Sequence, residues 1–237
     1  NILRAKKTKQ WNVGIDLELI KNRFAFNFDY YNKLTDDLLS DVNLPTSAGF
    51  SSFKSNVGQV ENRGFEIGAN AYIIRNTSKQ LIWSVGGTMI HNVNKIKKIS
   101  NYLEYLNSLM ENEQDVNPSF MYKEGESINT IFAVRSQGID PSNGKEIYVK
   151  KDGSLTYVWD SKDKVACGIN EPKYLGTFNT RLRYQGWQLS AIFSYRFGGQ
   201  IYNNTLASKI ENNYPYNNSD KRALYDRWSP ENPNARY

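Results

Sequence analysis

Apolar and polar residues alternate with a period of two over long stretches of this chain. From Gln10 to Leu19, Trp11, Val13, Ile15, Leu17 and Leu19 are set against Gln10, Asn12, Gly14, Asp16 and Glu18, the repeat of a strand with one apolar face. Ten residues suit a tilted strand that crosses a bilayer, whereas a soluble strand averages about five or six. A turn at Lys21-Asn22-Arg23 leads into Phe24, Phe26, Phe28 and Tyr30, which alternate with Asn27 and Asp29, and the two segments predict a hairpin. The unit recurs twice. Phe65, Ile67, Ala69, Ala71 and Ile73 oppose Glu66, Gly68 and Asn70; after a turn around 75–80, Trp83, Val85, Gly87 and Met89 oppose Ser84, Gly86 and Thr88. Phe178, Leu182 and Tyr184 oppose Asn179, Arg181 and Arg183, and Gln185-Gly186 then turns the chain into Trp187, Leu189, Ala191, Phe193, Tyr195 and Phe197. The prediction is all-β, with six long antiparallel strands.

The connections alternate as well. Short turns close each hairpin, and much longer segments follow Tyr31, Asn92 and Phe197. Short on one side and long on the other is the pattern of a transmembrane barrel of the bacterial outer membrane. Phe24, Trp83 and Trp187 each stand just beyond a short turn and predict an aromatic girdle at that interface, with Trp11, Tyr30 and Tyr195 near the other. The opposite parity gives lumen-facing charges: Asp16, Glu18, Asp29 and Glu66 from the first three strands, and Arg181, Arg183 and Arg196 from the last two. Two readings of these stand side by side, opposed walls that seat a plug or guide substrate, and plain solvation of a wet channel. A soluble β-sandwich also buries aromatics on one face of its strands; the loop asymmetry favours the barrel.

Composition is compatible with that reading. The mean hydropathy is −0.64 and no run is long and apolar enough for a membrane helix, but barrel strands need only half their residues apolar. The formal charge of +6 comes from 30 basic and 24 acidic residues interleaved along the chain, not a basic stripe, so nucleic acid is not expected as a partner. Cys167 is the single cysteine and His91 the single histidine, too few for an internal disulfide, a zinc site or a His-based triad. No catalytic residue, metal or cofactor is predicted. His91 reads as an interface residue at a strand end.

The long segment 93–175 predicts external structure. Asn101 with Glu104 resembles a capping box ahead of Tyr102, Leu103, Leu106, Leu109 and Met110 at helical spacing. Residues 140–144, Asp-Pro-Ser-Asn-Gly, form a turn with too few oxygen ligands for a calcium loop. Lys145 to Lys150 and Leu155 to Trp159 flank Lys151-Asp152-Gly153 as a hairpin. Tyr102, Tyr105, Tyr122, Tyr157 and Trp159 are the loop aromatics that could stack on a ligand. Lys95, Lys97 and Lys98 cluster near Ile96 and Ile99; Lys95 and Lys97 share the parity of Trp83, which allows contact with lipid phosphates beside the simpler reading of a solvated charge run.

Four segments together resemble a known family. They are KKTKQWNVGIDLELIKNRFAFNFDYYNKLTDDLL, GFSSFKSNVGQVENRGFEIGANA, EGESINTIFAVRSQGIDPSNGKEIYVKKDG, and YRFGGQIYNNTL followed by DKRALYDRW. In this order they resemble the SusC/RagA group of TonB-dependent outer-membrane transporters, typical of Bacteroidetes. The resemblance implies a 22-stranded barrel with a plugged lumen, powered through the TonB complex, capped by a SusD-like surface lipoprotein and carrying glycan or peptide fragments. It brings no catalytic residues. On this reading residues 1–237 are part of one barrel domain, without its plug, TonB box and final strands, and the isolated piece is expected to aggregate because unpaired strand edges are costly in a bilayer. The competing expectation is a secreted soluble β-rich module that binds carbohydrate through its loop aromatics.

Overall fold

A computed structural model describes residues 4–43, 49–56, 58–112, 116–211, 214, 216 and 218–237, with the backbone alone at 40, 42, 43 and 53. Val57, within the second of the four family-like segments, lies outside the described residues. In chain order the strands are β1 (Lys7–Leu19), β2 (Phe24–Asp36), β3 (Leu39–Asn43), β4 (Ser52–Asn56), β5 (Gly58–Asn76) and β6 (Leu81–Ile99), followed by helix α1 (Asn101–Asn112). Then come β7 (Ser119–Phe120), β8 (Thr130–Ala133), β9 (Arg135–Ile139), β10 (Glu146–Val149), β11 (Leu155–Thr156), β12 (Val165–Ile169), β13 (Tyr174–Tyr184) and β14 (Trp187–Phe197). Short helical turns occupy 204–211 and 222–225.

The chain divides into two units. The first holds an open antiparallel sheet in the order β1-β2-β5-β6-β13-β14, the six predicted strands, and the β3-β4 hairpin. Directly opposed residues on antiparallel neighbours share a face, so the register decides whether the alternating patterns add up. They do. One row across the sheet reads Leu17, Phe26, Ala69, Gly87, Phe178 and Phe193, and the next reads Ile15, Phe28, Ile67, Met89, Gly176 and Tyr195. The rows between them are polar: Asp16, Asn27, Gly68, Thr88, Thr177 and Ser194 form one. Six alternations thus merge into one apolar face and one polar face.

Side chains lean across neighbouring strands at two positions where only glycine fits. A Cβ on Gly64 would meet the His91 carbonyl oxygen and the Tyr31 hydroxyl, and one on Gly176 would meet the Thr88 carbonyl oxygen, under the Tyr195 ring. The Tyr195 hydroxyl donates to that same Thr88 oxygen at 2.9 Å. An aromatic ring laid over a strand glycine restores packing that the missing side chain would forfeit.

Several boundaries differ from the sequence expectation. β5 and β6 run well beyond the alternating cores, so β6 continues to Ile99 where a loop was expected from Val93. A bulge between Tyr72 and Ile74 sets Ile74, not Ile73, opposite Trp83, because one extra residue shifts the parity. The first short turn covers 20–23, with Ile20, Lys21 and Asn22 all at positive φ, while Gln185 and Gly186 (φ 45° and 88°) make the expected two-residue hairpin turn. Helix α1 forms, but Ser100 is its cap: its Oγ accepts from the Leu103 amide at 3.4 Å. β14 ends at Phe197, as expected, and Gly198 follows it at φ +83°.

β6 outlasts β13, whose first residue, Tyr174, faces His91. The backbone edge left open is taken by residues 122–129. The Ile96 amide donates to the Glu126 carbonyl (2.8 Å), and the Gly125 amide to that of Ile96 (2.9 Å). Asn94 completes the latch: its Oδ1 accepts from the Ile128 amide (3.1 Å) and the Ser127 hydroxyl (3.3 Å), and its Nδ2 donates to Asn62 Oδ1 (2.9 Å). Beneath it, Val60 and Ile96 are fully buried opposite one another.

The second unit comprises Tyr105–Met121, Thr130–Asn170 and Gln200–Tyr237. It contains the small sheets β11-β10-β9 and β12-β8-β7. Its buried apolar residues include Leu106, Met110, Met121, Phe132 and Ile210. The predicted hairpin is present but shorter, pairing Tyr148 with Thr156 and Val149 with Leu155.

Candidate functional site

The apolar face of the main sheet is bare. Trp187 is 82% exposed and Leu189 70%, and Trp11, Val13, Ile15 and Phe193 are exposed too. Monomeric soluble proteins rarely leave a contiguous apolar surface of this kind uncovered. Toward the long-connection end, aromatic rings meet from strand to strand across it: Phe28–Phe65 (6.2 Å between centroids), Phe65–His91 (5.3 Å), His91–Tyr174 (4.7 Å) and Tyr174–Phe197 (5.2 Å), and Phe197 meets Tyr195 along β14 (6.0 Å). Trp11 meets Tyr30 at 5.6 Å. His91 Nδ1 donates to the Lys173 carbonyl at 2.6 Å, which fixes the proton on that nitrogen. His91, expected at a strand end, lies instead in the interior of β6, with its ring within an aromatic row.

The residues expected as the short-turn girdle do not share a row. Phe24 lies in the row of Ala71, Val85, Thr180 and Ala191, Trp83 one row nearer the turns with Leu182 and Leu189, and Trp187 one row farther still with Tyr184. Each step is two residues, about 7 Å along the strand, for two strands or about 10 Å across the sheet. Three residues at one height would be offset in this way by a strand tilt of about 35°, within the range of membrane barrels. The opposite set, Trp11, Tyr30 and Tyr195, steps in the same direction. The Trp83 indole N–H, on the apolar face, donates to Thr180 Oγ1 at 2.9 Å.

The polar face carries the seven charges expected there, with the acids on β1, β2 and β5 and the arginines on β13 and β14. Asp29 stands directly opposite Glu66, and the same row ends at Arg196 on β14, three strands or roughly 14 Å from Glu66. Among the described residues no ion pair joins the two sets. Arg196 lines a shallow groove of about 640 Å³ with Thr88, Ile90, Leu175, Thr177 and Ser194.

The loop aromatics separate. Tyr122 is 4% exposed, too buried to offer a stacking face. Tyr102 lines a cleft of about 670 Å³ with Arg4, Asp36, Asp37, Gln59 and Lys98. Tyr105 is 57% exposed on α1. Tyr157 and Trp159 lie in the second unit, each with a lysine over its ring, Lys145 at 5.8 Å and Lys164 at 5.7 Å. The Tyr157 hydroxyl donates to Asp140 Oδ2 at 2.5 Å, and Asp140 Oδ1 accepts from the Ser142 amide and hydroxyl. These bonds, the Tyr157 hydroxyl first, hold the Asp140 carboxyl at about 2, below its ordinary 3.8. Trp228 closes the turn: its indole N–H donates to the Pro141 carbonyl at 3.1 Å and its ring covers Gly144. Sequence reasoning passed over Trp228, since nothing local links it to a turn so far back in the chain. Among the described residues no cluster of acidic, histidine and cysteine side chains could hold a metal.

Comparison with known proteins agrees with this architecture. The family model for TonB-dependent receptor-like β-barrels matches residues 1–228. TonB-dependent receptor P3 of Formosa agariphila is 27% identical across 98% of this chain and 24% of its own length. TonB-dependent receptor SusC of Bacteroides thetaiotaomicron is 25% identical across 94% of this chain and 23% of its own. A solved structure of the RagAB peptide transporter superposes with a TM-score of 0.76 at 24% identity, over 98% of this chain and 25% of that one, a likeness of fold. The chain spans about a quarter of the length of the curated relatives it matches.

Proposed function

This chain belongs to the TonB-dependent receptor-like β-barrel family, and from that premise we propose that its main sheet is one arc of an outer-membrane barrel that imports nutrient oligomers. The apolar face meets lipid, the polar face lines the lumen, and the long connections form the outer vestibule. The observation that carries this reading is the register: six separately alternating strands place every apolar set on one bare, continuous face. Support also comes from the two aromatic levels and their common offset. Between Trp187 and Tyr195 lie eight residue steps of β14, about 22 Å of height at a 35° tilt, close to the apolar band of roughly 25 Å.

In this reading import is driven through the TonB complex, engaged by a part of the protein outside this chain, and a SusD-like lipoprotein caps the vestibule. Cargo is a glycan or peptide fragment; RagAB, similar in fold, is a peptide transporter. The polar face does no chemistry, and its acidic and basic walls seat a polar plug or steer substrate. A secreted soluble module is disfavoured by the same face, whose apolar side chains stay exposed among the described residues. Detergent dependence tests the proposal. The complete protein is expected to need detergent or lipid to stay monomeric, and a detergent-free monomer in aqueous buffer would end the barrel reading.

A further inference from the structure

Beyond the aromatic row, on the same parity as the apolar face, the outer reaches of β1, β2, β5 and β6 turn basic. The register runs Trp11, Asn32, Arg63 and Val93, then Lys9, Leu34, Glu61 and Lys95. Lys7 opposes Asp36 one step farther. The bulge facing Gln59 and Val60 adds Lys97 and Lys98, since an extra residue lets two successive side chains face one partner. Lys7, Lys9, Arg63, Lys95, Lys97 and Lys98 are all exposed. The two acids among them are engaged. Glu61 accepts from Lys97 (2.9 Å) and Asn32 (3.0 Å) with its side chain only 16% exposed, and Asp36 accepts from Gln59 at 2.6 Å. Six cations against two occupied carboxylates leave a positive surface directly outside the aromatic level.

Resting on the barrel reading above, we propose that this surface binds the phosphate-bearing headgroups of anionic lipids in the outer leaflet. Its position argues for that occupant over a soluble anion: it continues the lipid-facing side of the strands, not the lumen side, and begins where the aromatic row ends. Charge complementarity supplies the recognition and the rings below set the depth. The long arms of the lysines reach the headgroup level from strands whose lower halves sit among acyl chains.

The test uses the complete protein in nanodiscs of phosphatidylcholine doped with phosphatidylglycerol, scoring retained anionic lipid by native mass spectrometry. Joint replacement Lys95→Gln, Lys97→Gln and Lys98→Gln is expected to lower retention about a hundred-fold at low salt, roughly five-fold per lysine, and raising the salt should weaken the unsubstituted protein in the same direction. Arg181→Gln with Arg183→Gln, on the opposite face, should leave retention unchanged. Equal loss from both sets would overturn the proposal, as would displacement of the lipid by millimolar inorganic phosphate, which would mark a free-anion site. Intact lipid retention with weakened capture of the surface lipoprotein would assign the patch to a protein and overturn it too. Each variant is first checked for heat-modifiable gel mobility: a complete protein that never inserts refutes the barrel reading, whereas an inserted variant with unchanged lipid refutes only the headgroup site.

Discussion

Phe178 and Asn179 are neighbours in sequence on opposite faces of β13, and placing the same charge at each measures which face meets lipid. Phe178 sits between the Tyr174 level and the Tyr184 level, with its ring 6.3 Å from that of Phe193. An arginine there stands near the bilayer midplane at a cost of about 2–4 kcal/mol. Loss of the stacked Phe193 pair adds about 0.5–1.5 kcal/mol, so Phe178→Arg is expected to destabilise the inserted barrel by about 3–5 kcal/mol. Asn179→Arg adds a cation to the face that already carries Arg181 and Arg183, opposite Gly86 and Ile192, and is expected to cost less than about 1 kcal/mol. Urea-dependent folding of the complete protein into phospholipid vesicles, followed by tryptophan fluorescence and gel mobility, gives both values. Equal costs, or a larger cost at Asn179, would refute the assignment of faces.

Asn94→Ala removes the acceptor for Ile128 and Ser127 and the donor to Asn62; protease cleavage within 122–129 should accelerate, for a loss of about 1–3 kcal/mol, with the sheet core intact. Tyr157→Phe removes the largest cause of the low Asp140 value. A depressed carboxylate contributes stability above its ordinary 3.8 and loses it as the pH falls through about 2, so the variant's 140–145 turn should open to pepsin at a higher pH than the parent's; identical profiles would show that Asp140 does not hold the turn.

The strands were legible in the sequence because each needs only its own period-two pattern, and Leu17 or Phe193 is committed to a face by its neighbours two residues away. Register was not legible. The contact of Phe65 with His91 and of His91 with Tyr174 joins strands separated by long connections, and no single-strand pattern fixes which row meets which. The bulge at Tyr72–Ile74 escaped for a related reason, since Ile73 and Ile74 are equally apolar and periodicity cannot say where an extra residue is absorbed. In the loops, local chemistry found the Asp140 turn and the α1 stripe, whereas Trp228 over Gly144 and the burial of Tyr122 depend on distant chain. The charges on the polar face were assigned by parity alone.

The latch at 122–129 divides the long connection after β6 into two inserts that still share a sheet, because β7 before the latch pairs with β8 after it. The chain departs after α1 begins, returns to pair with Ile96, and departs again at Thr130 before β13. Each insert therefore has both ends tied to the wall. Such anchoring separates change from risk over evolutionary time: 105–121 and 130–170, joined to each other through β7 and β8, can be exchanged together while the residues that pair with β6 stay as they are. Recombination between relatives that exchanges both inserts together should yield folded chimaeras far more often than recombination within 122–129.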